Sequence, residues 1–306
     1  MGAETETGVS GHDLTDRSTF IAAIRSAVIN SVPFAVGRNR DGRHWMGYQL
    51  ALQAGATGLP LKAYEAALKF HCLKQNGIYP TTTDYILQFN NDYIQSLNAL
   101  DFYALKAVGT EAAMMKAYRI PARLIDCDDL HPDRSQKASS PENCYLGSLA
   151  GKRVLIVSPI ANLLADRSTQ SVFEGVWAKI GKPWFFPKEV IPIEIPFAMA
   201  ASTRERFPSV LDLCDSIMEG VEKACFDVAL IGASGLGIPL AARIKKLDKV
   251  AISIGSDLQV LLGVIGRRWR ERKSWHQRYF NETWIDVPQR YHIPEKDEMV
   301  EGGAYW

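Results

Sequence analysis

Residues 226–269 read FDVALIGASGLGIPLAARIKKLDKVAISIGSDLQVLLGVIGRRW, and this stretch decides the fold. Val228, Ala229, Leu230 and Ile231 form a buried-strand run that enters a loop with glycines at 232, 235 and 237. Pro239 stands where a helix would start, and Leu240, Ala241, Ile244 and Leu247 give that helix an apolar face. A second strand, 250–254, ends in Gly255, Ser256 and Asp257. Strand, glycine turn, helix and strand make a βαβ unit, which sets backbone N–H groups and a helix N-terminus against an anionic ligand. Arg267, Arg268, Arg270, Arg272 and Lys273 follow directly, so the combination suggests a small molecule carrying a diphosphate.

Working outward, a second strand–helix register precedes this unit. The apolar run 154–157 ends at Ser158-Pro159, an amphipathic helix is expected to reach Trp177, and 190–195 alternates with prolines as an edge or irregular strand would. Residues 210–225 carry a helical stripe. Strands alternating with helices imply an α/β protein with a mostly parallel, Rossmann-like sheet, whose ligands bind beyond the carboxyl ends of the strands, here Ser158, Gly232 and Gly255. The N-terminal half reads as more helical. Helices are expected at 19–30, 44–54, 61–74, from an N-cap at Thr83, and over 101–118, with strands at 34–37 and 123–127 and a polar loop at 128–144. The expected organisation is a disordered tail over 1–17 and one domain over 18–306. That domain comprises a helical half (18–145), a Rossmann-like half (146–284) and an irregular C-terminal segment (285–306).

Composition excludes several classes. The 35 Lys and Arg face 34 acids, so net charge indicates no nucleic-acid partner. No apolar stretch reaches the roughly 20 residues of a membrane span. Five cysteines, an odd number without metal-type spacing, fit reduced thiols, and with a polar N-terminus they lead to a cytoplasmic expectation. There is no Gly-x-Ser-x-Gly elbow and no Walker A sequence, and His131 and His292 have no zinc-ligand spacing.

The second half resembles the GT-D-type bacterial glycosyltransferase family. The resemblance rests on Leu149 to Val157 with Ser158-Pro159, on Phe226 to Gly232 followed by Gly237 to Ala241, and on Gly255 with Leu258-Gln259 and Gly263. It also rests on Gly266-Arg267-Arg268-Trp269 and on Asn281-Glu282 with Trp284. It covers the C-terminal half well and the N-terminal half weakly. It implies transfer of a sugar from a nucleoside-diphosphate sugar to a hydroxyl of a glycan or other acceptor, in polysaccharide or glycoconjugate biosynthesis, with both halves contributing to one sheet. Such enzymes carry an Asp-Gly-Glu-like motif early in the chain. The match here is Asp41-Gly42-Arg43, where arginine replaces the glutamate, so dependence on a divalent metal is an open question and no metal ligands are assigned. No tightly bound cofactor is expected.

Three readings stay open for Gly232-Ala233-Ser234-Gly235-Leu236-Gly237. It departs from the dinucleotide fingerprint because Ser234 occupies the second glycine position, yet Asp257 near the next strand end keeps an NAD(P)-dependent oxidoreductase as an alternative. The glycines could also serve only a tight turn. A non-catalytic nucleotide-sugar-binding protein with a degenerate site is a further alternative. Under the transferase reading, Asp41 and Asp257 are the candidate catalytic carboxylates. Arg38, Arg43, Ser158, Gly232, Ser234, Gly235, Gly237, Gly255, Ser256, Gln259, Arg267 and Arg268 are the candidate donor-binding residues, the arginines standing in for a metal at the departing diphosphate. The sequence does not identify the sugar, the acceptor, the stereochemical outcome or the oligomeric state.

Overall fold

The computed structural model describes residues 14–39, 41–106, 108–131, 144–181, 186–293, 303 and 305. The N-terminal half runs α1 (Arg17–Asn30), β1 (Phe34–Gly37), α2 (Gly42–Gln53), α3 (Gly58–Phe70), α4 (Thr83–Ala99), β2 (Phe102–Leu105), α5 (Val108–Ala117), β3 (Arg123–Asp126) and α6 (Cys127–Leu130). The C-terminal half continues β4 (Arg153–Ser158), α7 (Ala161–Asp166), α8 (Gln170–Gly175), β5 (Glu189–Glu194), α9 (Ala201–Arg206), α10 (Val210–Lys223), β6 (Val228–Ile231), α11 (Gly237–Lys245) and β7 (Val250–Ser253). It closes with α12 (Asp257–Leu261), β8 (Val264–Ile265), α13 (Arg267–Arg270), α14 (Lys273–Arg278) and β9 (Ile285–Asp286).

Seven strands form one parallel sheet in the order β3-β2-β1-β7-β6-β4-β5, with β8 and β9 pairing separately. The two halves of the chain meet at β1 and β7, registered from Phe34 opposite Val250 to Gly37 opposite Ser253. Helices cover both faces, and the strands show it by alternation. Val154, Ile156, Val228, Leu230, Val250 and Ile252 enter the core beneath α1, α7 and α12. Leu155, Val157, Ala229, Ile231 and Ala251 enter the core beneath α4, α10 and α11. A strand buried on both sides loses the polar–apolar alternation and reads as a continuous apolar run. Small residues let α11 approach closely: a Cβ on Gly37 would come within 2.7 Å of Ile238 Cδ1.

Several expectations are corrected. The helix expected over 101–118 divides into β2 and α5. Its first residues pair with both β1 and β3, and periodicity alone does not separate so short an apolar run from buried helix. The helix expected to reach Trp177 is interrupted between α7 and α8. Thr82, rather than Thr83, occupies the N-cap of α4, and the Thr83 hydroxyl donates to Glu65 at 2.6 Å. The tail expected through residue 17 is partly structured: Asp16 caps α1 by accepting from Thr19 N–H, and Thr15 N–H donates to Leu124 O. Residues 1–13 lie outside the described residues, as do 132–143 of the expected loop, whose first residues belong to α6. Proline occurs in the outermost strand, where Pro192 of β5 sits opposite Ile156 and a missing N–H is tolerated. Of the C-terminal segment expected to be irregular, Ile285 and Asp286 form β9 against β8, and residues 294–302, 304 and 306 lie outside the described residues.

Candidate functional site

A cleft whose mouth is open to solvent lies where β4, β5, β6 and β7 end. One wall is apolar and includes Ile160, Ile195, Phe197, Met199 and Leu213. The opposite edge is polar and carries Ser158, Ser234, Gly255, Ser256 and Gln259. Among the described residues, none that lines the cleft bears a formal charge. Gln259 is held from behind, its Nε2 donating to Tyr305 O at 3.3 Å, and Tyr305 itself closes one side of the cleft.

Two guanidinium groups converge on the Gly255–Ser256 edge. Arg38 follows β1, and its Nη2 would lie 3.8 Å from a Cβ on Gly255, ordinary contact distance. The Gly255 φ of +63° is a left-handed value that suits glycine, and it turns the chain between β7 and α12. Arg268, on α13, donates from Nη1 to Ser256 Oγ at 3.4 Å and lies over the Tyr305 ring at 5.0 Å.

Asp257 lies behind this edge. Its side chain is 1% exposed, and Oδ2 is 3.0 Å from Arg38 Nη2 and 2.9 Å from Nδ1 of the fully buried His131. A carboxylate so placed offsets the buried guanidinium and fixes its direction. It is not among the residues that line the cleft, and its observed partners are Arg38 and His131. Sequence reasoning missed His131, which lies 126 positions away and has no spacing signal that would bring it to Asp257.

Gly232 lines the cleft, but its N–H donates to Val157 O at 2.8 Å. Gly255 N–H likewise donates to Ile231 O. These two amides continue the strand ladder. Gly235 and Gly237 are explained by packing. A Cβ on Gly235 would stand 2.7 Å from Asn76 O, and one on Gly237 would overlap the Ser253 hydroxyl. Ser234, at φ +47°, lines the cleft and donates from its hydroxyl to Gln75 O at 3.1 Å.

Asp41, Arg43 and Arg267 are not among the residues that line the cleft, and neither are Arg38 and Arg268, which approach it only at the Gly255–Ser256 edge. Asp41 begins α2, its N–H donating to Asn39 Oδ1 at 3.1 Å. Its carboxylate lies 3.9 Å from His44 Nε2, and the His44 ring stacks on His71 at 3.9 Å. The turn before it is pinned by Tyr103, whose hydroxyl bonds Asn39 O at 2.9 Å and whose ionisation is pushed well above the usual tyrosine range by burial. Arg43 is on the α3 side, where its charge partly offsets the upward shift that burial causes at Tyr64. Arg267 is 46% exposed and pairs with Glu271 at 3.6 Å. Arg40 lies outside the described residues. The cleft wall at Phe197 and Met199 was also missed. Its one sequence signal is an apolar stretch without helical period directly after the β5 strand.

Among the described residues no three His, Cys, Asp or Glu side chains are grouped so that they could hold a metal ion. No helix among them is long and apolar enough to cross a membrane.

No protein-family model matches the sequence, and no curated protein matches it. Three solved structures are similar in fold. One is described as a highly conserved domain of unknown function 1792 with a distinct glycosyltransferase fold; it is 13% identical, with a TM-score of 0.42, and 94% of each chain is covered. Its selenomethionine-substituted form gives the same values. Another, described as a new glycosyltransferase of the same domain from Streptococcus sanguinis, is 13% identical with a TM-score of 0.37, over 87% of this chain and 85% of that one. At this identity and these scores the likeness carries no residue roles across to the present chain.

Proposed function

We propose that this protein is a glycosyltransferase that moves a sugar from a nucleoside-diphosphate sugar to an acceptor hydroxyl in glycan or glycoconjugate biosynthesis. The observation that carries this reading is the convergence of Arg38 and Arg268 on the Gly255–Ser256 edge of a cleft at the carboxyl ends of parallel strands. Two fixed guanidinium groups suit the oxygens of a diphosphate, and arginine binds such groups with directed, paired N–H donors. The uncharged, largely apolar lining of the cleft beside these two arginines suits a nucleoside and a sugar, which need shape and a few polar contacts.

The chemistry follows from charge development. As the acceptor oxygen approaches the anomeric carbon, the bond to the leaving diphosphate lengthens and negative charge grows on its oxygens. Arg38 is already aligned by Asp257, so it can stabilise that charge without reorganising. Asp257 is therefore a positioning residue. Asp41, beside His44, is the candidate carboxylate for the acceptor or the sugar, on the strength of the Asp41-Gly42-Arg43 motif. Guanidinium charge replaces a divalent ion at the diphosphate in this scheme, so turnover is expected to survive exhaustive chelation. Complete loss, restored by manganese or magnesium, would show that a metal is required.

The binding step is tested by thermal shift across a panel of nucleoside-diphosphate sugars, followed by calorimetry on Arg268→Ala. Stabilisation by at least one nucleotide sugar is expected. Loss of one charged hydrogen bond should weaken it by about 1.5–3 kcal/mol, roughly ten- to over a hundredfold in Kd. Stabilisation by nicotinamide dinucleotides alone would replace this reading with an oxidoreductase.

A further inference from the structure

A serine hydroxyl donates one hydrogen bond and accepts others, and the partners each cleft serine already has fix the role left to it. Ser256 Oγ accepts from Arg268 Nη1 at 3.4 Å, so its hydrogen remains to donate. Ser158 Oγ accepts from Ile160 N–H at 3.3 Å, with the same result. Both hydroxyls suit an anionic oxygen. Ser234 is the reverse case. Its hydroxyl donates to Gln75 O at 3.1 Å, and a carbonyl only accepts, so the Ser234 oxygen is left to accept. An ionised phosphate oxygen has no hydrogen to offer such an acceptor; a ligand hydroxyl has one. Ser234 is exposed to the cleft at a φ of +47°, a backbone conformation uncommon outside glycine, which persists where the surrounding structure imposes it.

Strand order sets where these groups stand. From the middle of the sheet outward the order is β1-β7-β6-β4-β5. Arg38 follows β1, Gly255 and Ser256 follow β7, Ser234 follows β6, and Ser158 ends β4. Ile195, Phe197 and Met199 follow β5 and form the apolar wall. From the β7 edge to that wall is three strand spacings, ~14 Å. Ser234 stands between the edge that the arginines reach and the apolar wall, as the ribose of a nucleotide stands between its diphosphate and its base.

We infer that the donor lies across the strand ends with its base on the Ile195–Met199 wall, a ribose hydroxyl donating to Ser234 Oγ, and its diphosphate at Ser256, Arg38 and Arg268. This orientation rests on the nucleotide-sugar reading of the cleft. The transferred sugar then extends past β7 toward the end of β1, where Asp41 and His44 stand. The opposite orientation would turn the hydroxyls of the sugar onto Ile195, Phe197 and Met199, and a polar group buried without a partner is costly.

The test is calorimetry on the full chain with the diphosphates of uridine, guanosine, adenosine and cytidine, each beside its 2′-deoxy and 3′-deoxy forms. For a diphosphate that binds, one of the two deoxy forms should bind the parent roughly two- to tenfold more weakly than the ribonucleotide. Ser234→Gly, which suits the positive φ, removes the acceptor and should erase that difference, as should Ser234→Ala. Ser256→Ala should weaken the ribose and deoxyribose forms alike. Equal binding of all three forms to the parent would overturn the orientation, as would a deoxy penalty that survives in both Ser234 variants. So would a loss in Ser234→Gly seen with nucleoside-diphosphate sugars and not with nucleoside diphosphates, which would put the sugar in the cleft. Binding of none of these nucleotides to the parent would instead remove the nucleotide-sugar reading itself, and the orientation with it.

Discussion

Arg38 and Asp257 are 219 positions apart and meet at 3.0 Å because β1 and β7 are adjacent in the sheet. At the residue scale the site depends on this pair. The carboxylate is nearly inaccessible, so its charge is tolerated only with its cationic partner in place. Asp257→Asn keeps the shape but leaves the Arg38 guanidinium without its counter-charge. The expected loss of folding stability is about 3–5 kcal/mol, measured as a lower urea midpoint. Donor affinity should fall further than in Asp41→Asn, because Asp257 holds the Arg38 guanidinium at the Gly255–Ser256 edge of the cleft. Equal stability of Asp257→Asn and the parent chain would show that the pair is not needed to hold the fold. Arg38 and Asp257 were both legible as candidates, since each follows a strand end. Their relationship was not, because spacing in a sequence says nothing about which strands become neighbours.

At the scale of elements, the helix that begins at Gly58 does not end as a regular α-helix. Its last turn widens into a π-helix over His71–Gln75, an irregularity found frequently at functional sites. The widened turn brings Asn76 and Gln75 against the loop after β6. Asn76 O fills the space a side chain on Gly235 would take, and Gln75 O accepts the Ser234 hydroxyl. Gly235→Ala forces this backbone apart and is expected to cost about 1–3 kcal/mol through overpacking. It should also raise the Kd for a nucleotide sugar, since Ser234 moves with the loop; a donor affinity equal to that of the parent would separate this loop from the cleft. The glycine pattern itself was plain in the sequence. Its cause was not, because a glycine that admits a ligand and one that admits a neighbouring carbonyl look alike in one dimension.

At the scale of the whole molecule, the two-sided core buries groups whose ionisation opposes folding at high pH. Burial pushes the Cys72 and Cys214 thiols up to about 12 and the Tyr79 hydroxyl up to about 12. In the unfolded chain these thiols ionise near their ordinary value of about 8.5 and the phenol near about 10. The unfolded state therefore binds fewer protons than the folded state from the high eights upward, and stability falls as pH rises through about 12. Urea midpoints measured from neutral to strongly alkaline pH should show a progressive decline; a flat profile above pH 9 would contradict it. Composition, strand runs and glycine turns were enough to determine a parallel α/β sheet with strands ending at Ser158, Gly232 and Gly255, because burial on both faces and tight turns impose local residue choices. Only the tertiary structure decided that β2 is a strand, that Asp257 serves Arg38 and His131, and that Phe197, Met199 and Tyr305 form cleft walls. Those outcomes depend on strand order and on contacts between distant segments, which no local choice of residue encodes.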